Sequence, residues 1–443
     1  STRNTRRETG RIYRITYGES PVDPVNLQLQ SNPELAELQT HPNDWMVRHA
    51  RRLLQERHHA GQDMRSVRTV LREQLFSPQS VPRRLRALWA LHVTGGVAQQ
   101  DLEKLFQDES PFLQQWAIRL ACENQQKASQ WLDKLRTLAE KTQSSRVRLE
   151  LASTLQRLPL NRRWPVAEAL ATHATDATDQ NLPLMLWYGI EPLIQDDPTR
   201  YVNLALNAKI PRVRENIARR IALNIENPDI LNLLFTQLSV PTNPTTTADI
   251  LTGLLRGYEG TRSIRMPTSW PAASDSLTTS RNPHLRQMAI RLALLFNDPN
   301  AILQLRATAK DKTQTPATRE IAINALVSCK APQVGQLLVE LLPQRAIRLT
   351  TLKALASIRT DKSDATILAG YPSYGPKEKQ AALNALSATP ESTKQLFAGL
   401  AQGLIRREEV TAFTARQIQS HGQPKLNEQL IKLWGTISDT PKQ

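Results

Sequence analysis

Past residue 40, the apolar and polar positions of the chain follow one recurring theme with the period of an α-helix. A short polar or proline-bearing step leads to Val or Leu and then Arg, with a small residue three positions later and Ala-Leu three further on. The clearest copies are 84–91, 285–289, 319–326 and 379–386. Small residues at this spacing share one helix face and let a partner helix approach closely. The pattern predicts antiparallel helix pairs.

The basic residue of this theme sets a register along the chain. The register positions are Arg48, Arg84, Gln114, Arg148, Arg214, Arg286, Arg319, Arg348, Lys379 and Glu409. Two of the gaps between them, 148 to 214 and 214 to 286, are close to double length, and each predicts a divergent copy. Helix pairs that cannot bury their apolar faces alone do so by stacking. The predicted fold is therefore all-α, a HEAT/armadillo-like α-solenoid of about twelve helix pairs.

Prolines mark the start of the second helix in many copies, where the missing N–H costs nothing. They are Pro82, Pro111, Pro211, Pro283, Pro316 and Pro376.

Two stretches depart from the repeat. Residues 1–40 are predicted as an N-terminal extension in which 10–18, with alternating apolar residues between glycines, forms one strand. Residues 257–281, rich in Pro, Ser and Thr, are predicted as an inserted loop between repeats 41–256 and 282–437, with a tail at 438–443.

Charge adds a second feature. The chain has 57 Lys and Arg against 41 Asp and Glu, a formal net charge of +16, which allows a polyanionic partner such as an acidic polysaccharide, an acidic protein or nucleic acid without establishing one. The densest basic run contains Arg48, Arg51, Arg52, Arg65, Arg68, Arg72, Arg83 and Arg84. On one concave face these residues would attract a polyanion. The alternative is a solvated helix surface whose arginine stems cover apolar neighbours.

The arginines at the register positions have a structural interpretation. Arg148, Arg214, Arg286, Arg319 and Arg348 are predicted to form a ladder, each pairing with a carboxylate or carbonyl group of a neighbouring repeat. A shared ligand-binding role is the alternative.

Motifs for catalysis or metal binding are absent from the sequence. There is no Gly-x-Ser-x-Gly, no His-Glu-x-x-His and no phosphate-binding glycine loop, so we predict no catalytic, cofactor-binding or metal-binding residues. Cys122 and Cys329 lie in separate repeats and are expected to be small buried hydrophobes rather than a disulfide. No apolar run approaches the length of a membrane span, and the chain, which opens on Ser1, is expected to be a piece of a longer protein.

Several runs resemble one known family. They are 10–18, Asp179–Pro192, Leu254–Gly257 and Leu433–Gly435. The chain resembles the middle segment of planctomycete/verrucomicrobial-type membrane-bound dehydrogenases, which join a propeller similar to glucose/sorbosone dehydrogenases to HEAT repeats and a c-type haem domain. The resemblance implies a non-catalytic scaffold whose partners are the other domains of an exported, periplasmic or cell-surface oxidoreductase. Haem c is expected only in a downstream domain, because Cys-x-x-Cys-His is absent here.

The most distinctive of these runs supplies a candidate docking surface. It consists of Trp187, Tyr188, Glu191, Arg219 and Arg220, because aromatic residues and Arg in a repeat that departs from the pattern are typical of binding hot spots. The alternative is that Trp187 fills core space. Two other function classes stay open: a basic, HEAT-like nucleic-acid-binding protein of the alkylpurine DNA glycosylase type, and a HEAT-like lyase.

Overall fold

The structure, a computed structural model, describes residues 15, 17–18, 25–224, 228–240, 243–261, 263–360 and 362–435. Every regular element in these residues is helical. The chain divides into two compact units, an N-terminal unit (Ser1–Val166) and a C-terminal unit (Ala167–Gln443). Within each unit, helices of consecutive repeats pack side by side, which confirms the predicted all-α fold class of HEAT-like repeats.

In the N-terminal unit, helices alternate between two layers. One layer is the row α2, α4, α6 and α9. Helices α3, α5 and α8 form the other layer, and each packs against the next helix of that row in sequence. The short helix α7, between α6 and α8, interrupts the alternation. The helices are α1 (Asn32–Glu37), α2 (Asp44–His59), α3 (Arg65–Phe76), α4 (Val81–Val93), α5 (Gln99–Phe106), α6 (Pro111–Ala121), α7 (Gln125–Ala128), α8 (Leu132–Lys141) and α9 (Ser145–Thr154). Helix α10 (Trp164–Ala171) spans the boundary at residue 166.

The C-terminal unit repeats the same arrangement. Its helices are α11 (Leu182–Ile190), α12 (Pro198–Asn207), α13 (Pro211–Ala222), α14 (Asp229–Leu238), α15 (Pro244–Gly257), α16 (Trp270–Thr278), α17 (Pro283–Leu295), α18 (Pro299–Lys310), α19 (Pro316–Ser328), α20 (Val334–Leu341), α21 (Arg348–Leu355), α22 (Ser363–Gly370), α23 (Pro376–Leu386), α24 (Pro390–Ala401), α25 (Ala412–Gln419) and α26 (Pro424–Leu433). The odd-numbered helices from α11 to α23 pack in sequence as one row. Helices α11 and α15 occupy the two double-length gaps of the register.

The beginnings of the helices follow from local chemistry. The six prolines expected at the start of second helices all stand in the first turn of α4, α6, α13, α17, α19 and α23. Asn or Asp side chains cap many others; Asn243, for example, accepts from the backbone N–H of Thr245 at 2.9 Å. None of the helices in the described ranges combines the length and apolar character that a membrane span requires.

The closest helix contact in the C-terminal unit rests on small residues. Gly253 and Gly257 of α15 face Ala218 and Ala222 of α13. A Cβ atom on Gly253 would overlap the backbone carbonyl oxygen of Glu215 and lie 2.8 Å from the Cβ of Ala218. Any larger residue must therefore separate the two helices.

We expect Gly253→Ala to lower the free energy of unfolding by about 1–3 kcal/mol, because the added methyl group overpacks the α13–α15 contact. Helix propensity alone predicts the opposite sign, a gain of about 1 kcal/mol. Urea denaturation followed by far-UV circular dichroism measures the change. Thr245→Ala, at an exposed position of the same helix, is the control and should change little. A more stable Gly253→Ala protein would contradict the close contact.

Two predicted boundaries are wrong. The stretch 257–281 is not a continuous loop, because it contains helix α16, in which Trp270 is fully buried. The extension 1–40 already includes α1, which packs against α2 and α3, so the repeats begin before residue 41. The strand expected at 10–18 lies outside the described residues, apart from Ile15, Tyr17 and Gly18.

Candidate interaction surface

The register arginines lie in the row of second helices and connect neighbouring elements. In each of the five arginines predicted to form the ladder, the guanidinium group donates to a backbone carbonyl near the end of the preceding helix. The carbonyl partners are Thr142 for Arg148, Ala208 for Arg214, Ser280 for Arg286, Ala309 for Arg319 and Leu342 for Arg348. Arg148, Arg214 and Arg319 are buried. These contacts hold the turn between the two helices of a pair.

Several of these arginines also reach the following repeat. Arg214 Nε donates to Asp249 Oδ2 at 2.8 Å, Arg319 donates to the side chain of Gln344, and Arg348 lies 3.6 Å from Glu378. A register residue and its acceptor one repeat later thus form a rung between repeats.

At the C-terminal end the rung is Lys379–Glu409. Lys379 Nζ donates to Glu409 Oε1 at 2.7 Å. Burial acts to raise the pKa of Glu409, but hydrogen bonds from Lys379 and Arg406 outweigh it and bring that pKa to about 2. The sequence register places Glu409 at the position of the cations, and this assignment is wrong. It ends a short 3-10 turn, Arg407–Glu409, and acts as the acceptor of the rung.

Most arginines of the basic run are paired within the chain. The ion pairs are Arg48–Asp44, Arg52–Glu56, Arg65–Asp63, Arg72–Asp101 and Arg84–Asp108. Arg68 donates to the carbonyl group of Thr94 at 3.0 Å, and Arg83 is exposed. The run is therefore not a single free basic face. The charges near each arginine in the sequence do not predict these pairs, because Asp101 follows Arg72 by 29 residues and Asp108 follows Arg84 by 24.

We therefore expect weak binding of duplex DNA by the full chain, with a Kd no tighter than about 10⁻⁶ M at physiological salt, as for nonspecific binders. The net charge of +16 still attracts phosphates, but the paired arginines offer them few free donors. Fluorescence anisotropy with a labelled duplex measures the affinity. Nanomolar binding that falls steeply with added salt would contradict this expectation.

A different set of side chains forms a continuous row on the second helices of the N-terminal unit. We name Arg51, Trp89, Trp116 and Arg119 the aromatic–arginine row. Arg51 lies over the ring of Trp89, with its Cζ 5.3 Å from the ring centroid, and Arg119 lies over Trp116 at 4.9 Å. The two indole rings meet edge to face at 5.3 Å. The row crosses from α2 through α4 to α6, and all four side chains are half-buried.

The two ends of this row differ in charge compensation. Arg119 makes a bidentate contact with the buried carboxylate of Glu150, at 3.0 and 2.7 Å. Arg51 has no such partner: its Nη1, like Nε1 of Trp89, is buried and finds no acceptor among the described residues. Burial is the largest cause that lowers the pKa of the Arg51 guanidinium, and Asp44 opposes the shift. The Arg51 end is thus the uncompensated end.

Two further aromatic side chains lie in the same row of helices. Trp45 of α2 is 53% exposed and stacks on His49, and Phe112 of α6 is 45% exposed beneath the guanidinium of Arg146. The sequence pattern does not indicate this surface. Its one signal in the sequence is a Trp on each of the successive second helices α2, α4 and α6. The register does not predict which side of each helix faces solvent.

The structure separates the residues of the candidate docking surface around Trp187. Tyr188 is 49% exposed and Arg219 is exposed, so both face solvent. Trp187 is half-buried in α11. Glu191 instead lies 3.8 Å from Arg220, and both interact electrostatically with Tyr201, a fully buried residue whose pKa is raised by burial. Tyr188 and Arg219 are thus the two exposed residues of this set without the electrostatic contacts that Glu191 and Arg220 make among the described residues.

Other candidate chemistry is sparse. Within the described ranges, no group of three or more His, Cys, Asp or Glu residues is arranged to hold a metal ion. Cys122 is buried and Cys329 half-buried, and both are free thiols. Burial raises the pKa of Cys122 to about 12 and also raises that of Cys329, so neither is an activated nucleophile.

Comparisons with known proteins give structural similarity only. No protein-family model matches the chain, and no curated protein sequence matches it. Among solved structures, the karyopherin Kap121p bound to the SUMO protease Ulp1p is 13% identical over 90% of this chain and 46% of that chain, with a TM-score of 0.43. Kap121p bound to Nup53p is 14% identical over 91% and 46%, again with a TM-score of 0.43. The chain spans about half the length of these karyopherins, and similarity at this level says nothing of its function.

Proposed function

We propose that this chain is the helical-repeat scaffold of a longer, exported oxidoreductase. In this proposal it holds a propeller dehydrogenase domain and a c-type haem domain in a fixed relation, and performs no chemistry itself. The observation that carries the scaffold role is the succession of rungs. Buried ion pairs and carbonyl contacts repeat from one helix pair to the next, as a rigid spacer requires.

The family resemblance supports the finer part of the proposal. The run Asp179–Pro192, the most distinctive part of the resemblance, contains helix α11 and leaves Tyr188 exposed. The run Leu433–Gly435 packs against the preceding helices, because Trp434 Nε1 donates to the carbonyl group of Val410 at 2.8 Å. Both runs therefore have defined positions from which neighbouring domains could be held.

Two experiments test the proposal. The genomic reading frame that encodes this chain should contain a propeller upstream and a Cys-x-x-Cys-His motif downstream. The propeller and haem domains, produced separately, should bind the chain in isothermal titration calorimetry. A reading frame with neither module would refute the linker role.

The exposed pair on the docking surface gives a sharper test. We expect Tyr188→Ala with Arg219→Ala to weaken binding of one of these domains about tenfold or more, because exposed aromatic and Arg side chains are common hot spots. The melting temperature should not change, since both residues face solvent. Phe413→Ala with Arg416→Ala, a matched exposed pair on α25, is the control. Equal loss in both double variants would contradict the assignment.

A nucleic-acid-binding role is the second candidate, favoured by the net charge of +16. The duplex titration described above separates the two roles. Tight, salt-dependent binding would favour the nucleic-acid role over the scaffold.

A further inference from the structure

We propose that the aromatic–arginine row of the N-terminal unit is a docking site for an acidic, extended polypeptide segment, with a carboxylate of that segment bound between Arg51 and Trp89. This inference rests on the proposed scaffold function and names the chemistry of a partner.

The uncompensated donors carry the argument. Arg51 Nη1 and Trp89 Nε1 are both hydrogen-bond donors, both are buried, and neither has an acceptor among the described residues. Buried donors without acceptors are uncommon, and a carboxylate can accept from a guanidinium and an indole together. Arg51 and Trp89 are both half-buried, so the pair lies at the surface of the unit, where a carboxylate from solvent can approach it.

The other end of the row shows the same chemistry already satisfied within the chain. Arg119, which also lies over an indole ring, receives the carboxylate of Glu150 in a bidentate contact. Gln115 donates to the same carboxylate at 3.0 Å. A carboxylate from another polypeptide would complete at Arg51 the arrangement that Glu150 completes at Arg119.

Two features favour a peptide over a nucleic acid. Each indole of the row carries a guanidinium over one face and contacts the other indole, and the ring of Trp45 is stacked on His49, so these rings are already engaged where a base would stack. The surface also alternates in sign. Asp44 lies 2.6 Å from Arg48 and 3.0 Å from Arg86, and Glu123 lies 3.5 Å from His92. A uniformly charged phosphate backbone would be repelled by these acids, whereas a peptide of mixed sequence can avoid them.

The test measures binding of a fluorescein-labelled peptide of mixed sequence, in which two glutamates stand among leucine and serine residues, to the full chain by fluorescence anisotropy. Arg51→Met keeps the apolar stem over Trp89 but removes the charge and the donors. We expect it to weaken binding by about tenfold or more, as for loss of a charge-assisted hydrogen bond. Arg136→Met, at an exposed arginine of α8 paired with Glu140, is the matched control and should bind as the wild type does.

Arg51→Lys keeps the charge without the planar fork and should lose less affinity than Arg51→Met. This variant decides the question if Arg51→Met is poorly folded by circular dichroism. The inference is overturned by absence of peptide binding, by equal affinity of wild type and both Arg51 variants, or by displacement of the peptide by oligothymidylate at lower concentration. Peptide binding that depends on Arg51 while the dehydrogenase and haem domains fail to bind would count against the linker role alone. Domain binding without peptide binding would count against this inference alone.

Discussion

Replacing Trp270 with alanine is expected to lower the free energy of unfolding of the C-terminal unit by about 3–5 kcal/mol, the usual loss for a fully buried Trp. The indole lies edge to face against Phe235 at 5.0 Å and Phe296 at 4.9 Å. Its Nε1 donates to Oδ2 of Asp298 at 2.8 Å, and Asp298 also caps α18. The substitution therefore removes a packed ring and a partner of a buried carboxylate. Urea denaturation followed by far-UV circular dichroism measures the loss.

Trp270→Phe separates the two contributions. It keeps an aromatic ring beside Phe235 and Phe296 but leaves Oδ2 of Asp298 without its donor, so we expect a smaller loss of about 1–3 kcal/mol. If Trp270→Ala were as stable as the wild type, 257–281 would behave as the surface loop that its composition predicts.

The second large effect is expected at a buried rung. Asp249→Ala leaves the Arg214 guanidinium, whose side chain is only 7% exposed, with the carbonyl group of Ala208 as its remaining partner among the described residues. Breaking a buried ion pair on one side leaves an uncompensated charge, and we expect a loss of about 3–5 kcal/mol in the free energy of unfolding. Urea denaturation measures it.

The double variant Arg214→Met with Asp249→Leu supplies the control. Replacing both partners by apolar side chains removes the uncompensated charge, so this protein should be more stable than Asp249→Ala alone. Equal or greater destabilisation by the double variant would show that packing around α13 and α15, rather than charge, sets the stability of this contact.

The parts of the fold that the sequence predicts are those decided by neighbouring residues. The register, the small-residue stripe and prolines such as Pro211 and Pro316 mark helix pairs through local sterics and the period of the helix. The sequence does not predict helix α16, because its Ser, Thr and Pro residues favour a loop. Trp270 is buried by Phe235 and Phe296, which belong to other repeats.

The candidate sites show the same division. The cation of a rung could be predicted from its register, but its acceptor could not: Asp249 follows Arg214 by 35 residues, a separation that the repeat length does not fix. The aromatic–arginine row depends on how α2, α4 and α6 are rotated about their own axes, which is settled by packing across the stack. Packing across the stack also decides that Tyr188 and Arg219 face solvent while Glu191 and Arg220 pair with each other.

The rungs are unequal, and this affects how the repeats unfold. Among the described residues, Arg286 of α17 donates only to the carbonyl of Ser280 and makes no contact with an acceptor of the following repeat. In a linear array each repeat is coupled to its neighbours alone, so cooperativity fails first between the most weakly joined repeats. Backbone amides on either side of α17 should then exchange with deuterium in separate steps, whereas those flanking Arg214 or Lys379 should exchange together.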